Sequence, residues 1–193
     1  MSATEEATAD VGEAFRPPAD VLPSWLPVRQ RNRLDPEAYR EPGSFFVTIS
    51  AAGRRPWFRR APVVAECTSQ LRAACEREGF ELEAYCFMPD HLHLLATSEV
   101  EHDLGRLVHG FKQRTGYWFR NRYLAGGLKA SPTAPDERPS LWQKSYYDHV
   151  LRREDDIDQV IQYIVENPVR AGLAGCVEEY PYAWSACGLP GPA

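Results

Sequence analysis

The sequence predicts an α+β domain built on a ferredoxin-like antiparallel sheet with helices on one face. Two observations indicate this fold class. Strand-like and helix-like segments follow one another in the order β-α-β-β-α-β-α, without internal repeats, as in antiparallel sheets with packed helices. The 193 residues are 44% hydrophobic and 11% aromatic, enough for one substantial core. No apolar run reaches the ~18 residues of a membrane-spanning helix.

The first half of the pattern contains three strands and one helix. Residues 44–50 are aromatic and β-branched, which is typical of a strand. Residues 61–78 place apolar side chains at helical spacing, and the glycine that follows them is a common helix stop. Residues 80–88 and 91–97 then alternate as two strands, and the Pro-Asp pair between them predicts a tight, hairpin-like connection.

The second half adds two helices and one strand. Residues 104–124 carry an apolar stripe at helical spacing, and residues 142–151 are predicted to form a strand. A third helix is predicted at 157–166, because two aspartates before it suit the helix dipole. Asn167 and Pro168 should end or kink it, since proline cannot continue the backbone hydrogen bonding. The aromatic segment that follows is expected to pack back onto the core.

Composition divides the chain into a central domain and two tails. Residues 1–40 are acidic and proline-rich and predict a flexible N-terminal extension. Residues 41–185 contain all the periodic patterns and should form the domain, leaving 186–193 as a C-terminal tail. Within the domain, residues 125–140 are rich in glycine and proline and predict a mobile loop.

Charge and cysteine content favour a cytoplasmic protein. The N-terminus is acidic, unlike a secretory signal, and the five cysteines include no CxxC pair, as expected for reduced thiols. The net charge of −5 argues at first against a nucleic-acid partner. However, the first 20 residues hold five carboxylates and one arginine, so the remainder carries only about −1.

Basic residues cluster within this nearly neutral remainder. The segment 104–129 contains no carboxylate, and a second cluster follows the first predicted strand. Such runs are more often solvated surface than binding sites, but they are also the usual contacts to a phosphate backbone. The candidate DNA-binding residues are Arg54, Arg55, Lys112, Arg114, Arg120 and Arg122.

Two histidines separated by one residue form the most informative local pattern. Because a strand has a period of two, His91 and His93 leave the same face and can form half of a metal site. Alone, the pair could equally be two buried strand residues. Tyr163 and Asn167 are four residues apart and share a helix face. A phenol can attack a phosphodiester beside a divalent cation, and an amide oxygen suits Mg²⁺ or Mn²⁺.

His149 is a further candidate with two readings. It follows Asp148 in a predicted strand, where the two side chains could form a structural hydrogen bond. It could also be a secondary member of the site. Tyr146 and Tyr147 are rival nucleophiles in principle, although strand aromatics more often pack in a core or stack on bases.

Three motifs, in this order, resemble the REP-associated tyrosine transposases, which belong to the single-tyrosine HUH superfamily of single-strand nucleases. They are YCFMPDHLHLL around His91 and His93, LWQKSYYDHVLR at 141–152, and YIVENPVRAGL at 163–173. The resemblance extends over about residues 40–185, most of the chain. Three ordered motifs make it far more specific than the histidine pair alone.

The resemblance implies the HUH nuclease fold and a metal-dependent endonuclease and strand transferase. Its substrate would be single-stranded DNA at hairpins of repetitive extragenic palindromes. Tyr163 would attack the DNA phosphate and form a 5′-phosphotyrosine intermediate, and His91, His93 and Asn167 would hold Mg²⁺ or Mn²⁺. His149 also matches a position of the family. The implied protein is a monomer, cytoplasmic and associated with the nucleoid, with no membrane partner.

Two other functions are compatible with the same residues. The chain could be a domesticated protein that binds palindromic DNA without cutting it, although such a protein has no need of Tyr163, His91 and His93. It could also be a metal-dependent hydrolase of small phosphoesters. That enzyme would cleave without a covalent adduct and would be indifferent to hairpins.

Overall fold

The computed structural model describes residues 41–126, 140–151 and 157–188. The predicted extension at 1–40, most of the predicted loop at 125–140 and most of the C-terminal tail lie outside these ranges. None of the described helices is long and apolar enough to cross a membrane. None of the five cysteines forms a disulfide, in agreement with the prediction of reduced thiols.

Within these ranges the strands and helices follow one another in the predicted order. The elements are β1 (Gly43–Ser50), α1 (Ala61–Glu78), β2 (Glu81–Met88), β3 (His91–Ser98), α2 (Leu104–Leu124), β4 (Tyr147–Leu151), α3 (Ile157–Arg170) and β5 (Ala183–Ser185). The strands form one sheet in the spatial order β4-β1-β3-β2-β5, and every neighbouring pair is antiparallel. The ferredoxin-like α+β architecture is therefore confirmed, with β5 as the predicted return of the C-terminal segment to the core.

The fourth strand is shorter than predicted. It begins at Tyr147, not at residue 142, and Trp142 makes only an isolated bridge to Ala51. The intervening backbone turns towards α2, where the ammonium group of Lys112 donates hydrogen bonds to the carbonyl oxygens of Lys144 (2.9 Å) and Ser145 (3.5 Å). These carbonyl oxygens are satisfied by a side chain instead of by a neighbouring strand.

The three helices do not all share one face of the sheet. Helices α1 and α2 cover the larger core, as predicted, whereas α3 packs on the opposite face, chiefly against β2. Strand β3 shows why. Leu92 and Leu94 contact the first core, while Leu95, of opposite parity, contributes to the second together with Phe46 and Cys86. A strand that is apolar on both sides needs cover on both sides.

Helix α3 also continues through Pro168 to Arg170, four residues beyond its predicted end. Proline removes the backbone donor to the Ile164 carbonyl oxygen, which normally ends a helix. Here the side-chain amide nitrogen of Asn167 donates to the carbonyl oxygens of Tyr163 (2.8 Å) and Ile164 (3.5 Å). The guanidinium group of Arg170 donates to the Tyr163 carbonyl as well. The Asn167 side chain thus supplies a donor to the Ile164 carbonyl oxygen, and Arg170 adds a second link between the last turns of the helix.

Candidate active site

The strand register places both histidines on the α3 face of the sheet. His91 lies opposite Ser50 and His93 opposite Thr48, and their side chains are buried, at 3% and 7% exposure. Leu92 between them points into the α1–α2 core. The period-two prediction from the sequence is thus confirmed.

Asp90 fixes the orientation and tautomer of His91. Its carboxylate oxygen Oδ1 lies 2.6 Å from Nδ1 of His91, and Oδ2 lies 3.2 Å from the guanidinium group of Arg54. Burial raises the pKa of Asp90, but the hydrogen bonds and positive charges of His91 and Arg54 together lower it below its usual value. Because an ionised carboxylate only accepts, Nδ1 of His91 donates to it, and the lone pair of the neutral imidazole, the form that binds a metal, would be on Nε2.

His93 is held from its other ring nitrogen and across its face. The hydroxyl of Thr48 lies 3.0 Å from Nδ1, and the ring of Phe46 stacks on the imidazole at 5.5 Å between centroids. Burial, followed by the nearby positive charges of His91, Arg170 and Arg54, lowers the pKa of His93 well below its usual value. The imidazole of His93 is therefore neutral, which is the form that binds metals.

The two imidazoles fit a divalent cation. Their Nε2 atoms converge to 3.1 Å. Adjacent ligands of an octahedral ion with bonds of ~2.1 Å are ~3.0 Å apart. The described residues contain no cluster of three or more His, Cys, Asp or Glu side chains. The amide nitrogen of Asn167 is engaged with the carbonyl oxygen of Tyr163, and a ligand role for its amide oxygen stays a prediction.

Helix α3 brings Tyr163 to this pair. The phenol ring lies 6.1 Å from the His93 ring and 6.1 Å from the Phe46 ring, and it is 7% exposed. The guanidinium carbon of Arg170 lies 4.6 Å from the centre of the phenol ring. Burial raises the pKa of Tyr163, although the Arg170 charge and a hydrogen bond from Asn167 act in the opposite direction. The phenol therefore carries its proton at neutral pH.

The sequence profile of the family described as "Transposase IS200 like" matches residues 45–167, well over half of the chain. The chain belongs to this transposase family. The matched range begins in β1 and ends at Asn167, so it spans the histidine pair and Tyr163.

Two relatives of this IS200-like chain are both described as REP-associated tyrosine transposases. A REP-associated tyrosine transposase of Escherichia coli is 23% identical over 146 residues, covering 75% of this chain and 78% of the relative. A Haemophilus influenzae protein, provisionally described as a REP-associated tyrosine transposase, is 27% identical over 145 residues, covering 73% and 78%. The resemblance to the REP-associated tyrosine transposases is thereby confirmed.

A solved structure supports the fold of this IS200-like domain. It is a REP-associated tyrosine transposase bound to a REP hairpin, and it superposes with a TM-score of 0.60 at 22% sequence identity. The superposition covers 81% of this chain and 82% of the other. At 22% sequence identity, this likeness shows a shared fold and nothing more.

The predicted DNA-binding cations fall into two separate places. Arg54 and Arg55 follow β1, and Arg54 reaches back to Asp90, so its charge belongs to the histidine site. The remaining four lie on α2, the helix on the other face of the sheet. Lys112 is half-buried and bonded to carbonyl oxygens, whereas the other three are exposed: Arg114, Arg120 and Arg122.

His149 lies on the same face as the histidine pair. It is opposite Phe46 in the register of β4 with β1, and the Phe46 ring stacks on His93. Cross-strand partners project to the same side, so Phe46 separates the two imidazoles. A role for His149 in the chemistry stays a prediction.

Four residues of this site had no place in the sequence-based prediction: Phe46, Thr48, Asp90 and Arg170. Asp90 immediately precedes His91, and its adjacency was the available signal for a carboxylate–histidine pair. Arg170 is seven residues, or two turns, after Tyr163 and so shares its helix face. Glu166 lies between them and accepts a hydrogen bond from Arg170 at 2.8 Å.

Proposed function

We propose that the chain is a metal-dependent single-stranded DNA endonuclease and strand transferase that acts at REP hairpins through a 5′-phosphotyrosine intermediate. The observation that carries this proposal is the buried phenol of Tyr163 beside two convergent imidazoles, His91 and His93. Membership of a transposase family supports DNA as the substrate. The relative that is bound to a REP hairpin supports hairpins as the partner.

His91 and His93, with the amide oxygen of Asn167 as third ligand, would hold Mg²⁺ or Mn²⁺. Such an ion, when bound, supplies charge that polarises the scissile phosphate. The protein residues around it have defined tasks. Asp90 keeps the lone pair of His91 directed at the ion, and Thr48 holds the ring of His93.

Tyr163 performs the covalent step. Its oxygen bonds to phosphorus while the bond from phosphorus to the 3′-oxygen breaks, and the phenolic proton passes to water. The departing oxygen takes a proton and leaves as a 3′-hydroxyl. In strand transfer, the oxygen of another 3′-hydroxyl bonds to phosphorus and loses its proton to water, while the bond from phosphorus to the Tyr163 oxygen breaks and that oxygen takes up a proton from water. The protein acts as a monomer, with Tyr163 and both histidines contributed by the same chain.

Trapping the covalent adduct tests this proposal. A labelled hairpin with unpaired flanks is incubated with the protein and Mg²⁺ or Mn²⁺, and the adduct is resolved on a denaturing gel. We expect an adduct with the wild type and none with Tyr163→Phe, which should still bind the hairpin. Tyr146→Phe and Tyr147→Phe are matched controls and should retain the adduct, because each removes only the hydroxyl of a tyrosine that is not the proposed nucleophile.

Three outcomes would contradict the proposal. Hairpin binding without an adduct under either metal identifies a palindrome-binding protein that does not cut. Cleavage without an adduct, and without preference for hairpins, identifies a phosphoesterase. An adduct that persists in Tyr163→Phe shows that another residue is the nucleophile.

A further inference from the structure

A groove separate from the histidine site opens between α2 and residues 140–146. Its volume is about 680 Å³, within the ~300–1,000 Å³ typical of ligand pockets. Val108 and Trp142 in its wall belong to the α1–α2 core, so the groove lies on the face of the sheet opposite the histidines.

The groove attracts anions. Among the described residues, its lining includes Lys112, Arg120 and Lys144 and no carboxylate, although the chain as a whole has a net charge of −5. The ammonium group of Lys112 donates to the Lys144 carbonyl oxygen at 2.9 Å and thereby joins the two walls. A concave surface lined by one sign of charge focuses the field on a ligand of the opposite sign.

Aromatic rings and amides accompany these charges. Tyr117 is 66% exposed, an unusual position for a large ring, and it lies three residues before Arg120 on the same side of α2. Tyr146 lines the opposite wall, with the Lys112 ammonium 5.9 Å from its ring centre. Gln113 and Gln143 add groups that can pair with base edges. Alternating cations and rings are the chemistry of single-strand binding.

The wall of the groove is connected to the end of β1, where Ser50 lies opposite His91. Trp142 bridges to Ala51, and the Ala51 amide donates to the Asp90 carbonyl oxygen at 2.8 Å. Two strand spacings of ~4.8 Å therefore separate the groove wall from the residue before His91. A DNA chain that passes around these ends of β1 and β3 can occupy both places.

We propose that this groove binds the unpaired flank of the DNA hairpin, with bases stacked on Tyr117 and phosphates on Arg120. Stacking on a side chain needs unpaired bases, because in a duplex stem the base faces are covered by their neighbours. The inference rests on the proposed function for its substrate. It adds that the flank is held on the α2 face, away from the reacting phosphate.

Affinity for two DNA probes tests the inference. One probe is a hairpin with randomised unpaired flanks and the other is the same hairpin trimmed to its stem. Binding is measured without divalent metal, in a Tyr163→Phe background. Tyr117→Ala and Arg120→Ala should each lower affinity for the flanked probe about tenfold and leave the stem probe unchanged. Tyr117→Phe should keep the wild-type preference, because it keeps the ring.

Arg114→Ala is the matched control for charge. Arg114 is exposed on the same helix but outside the groove, so its loss should change both affinities by the same factor. The inference is overturned if Arg120→Ala and Arg114→Ala give the same ratio of affinities, or if Tyr117→Ala keeps the flank preference. The proposed function is tested separately, since adducts can be absent while flank preference persists, and the reverse.

Discussion

The two faces of the sheet use the same strands for opposite purposes. On the α1–α2 face, β1 and β3 contribute Val47, Leu92 and Leu94, which pack into the larger core. On the α3 face, residues of the other parity include His91 and His93, which are buried but polar. One face is covered by two helices and the other by one. Alternation along β3 thus places a chemical site one residue away from a structural core.

The contrast between the two faces shows how a buried polar site can be held rigid. Buried polar groups are costly unless they are hydrogen-bonded. Each histidine here has a partner at Nδ1, Asp90 or Thr48, and the Nε2 atoms face each other. The strand that positions them is anchored by the apolar side chains on its other face. Stability and chemistry should therefore respond to different substitutions in adjacent residues.

Substitutions at adjacent positions of β3 give the largest expected contrast. Leu94→Ala should lower the free energy of unfolding by about 2–5 kcal/mol, because it opens a cavity in the core. His93→Ala should change it by about 1 kcal/mol, the value of one hydrogen bond. His93→Ala should instead reduce Mn²⁺ affinity and adduct formation at least ~100-fold. Urea denaturation of metal-free protein and Mn²⁺ titration by electron paramagnetic resonance measure the two effects.

The contrast breaks if the two variants behave alike. A His93→Ala protein that unfolds as easily as Leu94→Ala would make the histidine a core residue. Unchanged Mn²⁺ binding in His93→Ala would remove the metal site from this face.

Asp90→Asn tests the hydrogen bond that orients the His91 ring. An amide can donate as well as accept, so it no longer imposes the tautomer that directs Nε2 of His91 outwards. We expect Mn²⁺ affinity to fall about 10–100-fold, with the fold retained. Asp103→Asn is the matched control. Asp103 caps α2 through the amide of Arg106, and asparagine caps a helix equally well. Equal Mn²⁺ affinities for the two variants would show that Asp90 has no such role.

Local patterns predicted much of this arrangement. Helical spacing and Gly79 gave the bounds of α1, period two gave the shared face of His91 and His93, and the four-residue spacing aligned Tyr163 with Asn167. These features depend only on neighbours in the chain. They were therefore available before the fold was known.

The features that the sequence did not predict depend on contacts between distant segments. The pairing of Arg54 with Asp90 joins residues 36 positions apart, through a left-handed turn with φ of 62° at Gly53 and 55° at Arg54. The placement of α3 on the second face could not be decided from its own periodicity. Its continuation through Pro168 required the side-chain bonds of Asn167, which a local rule for proline does not include.

Arg170 contributes both to the stability of α3 and to the environment of the Tyr163 phenol. It donates to the Tyr163 carbonyl oxygen, which supports the helix, and it lies over the phenol ring, which alters the chemistry. Glu166 accepts from it at 2.8 Å and holds the guanidinium group in place. In the proposed covalent step Tyr163 attacks as the phenolate; a cation over the ring favours this form, whereas burial opposes it.

Arg170→Gln should give the smallest effect of this series. Loss of the cation raises the pKa of Tyr163 further, so the rise of adduct formation with pH should shift to higher pH. At neutral pH the rate should fall about 2- to 30-fold, corresponding to ~0.5–2 kcal/mol for a cation over a ring. Arg170→Lys should restore part of the shift, because it keeps the charge. A uniformly slower enzyme with an unchanged pH profile would instead limit Arg170 to supporting the helix.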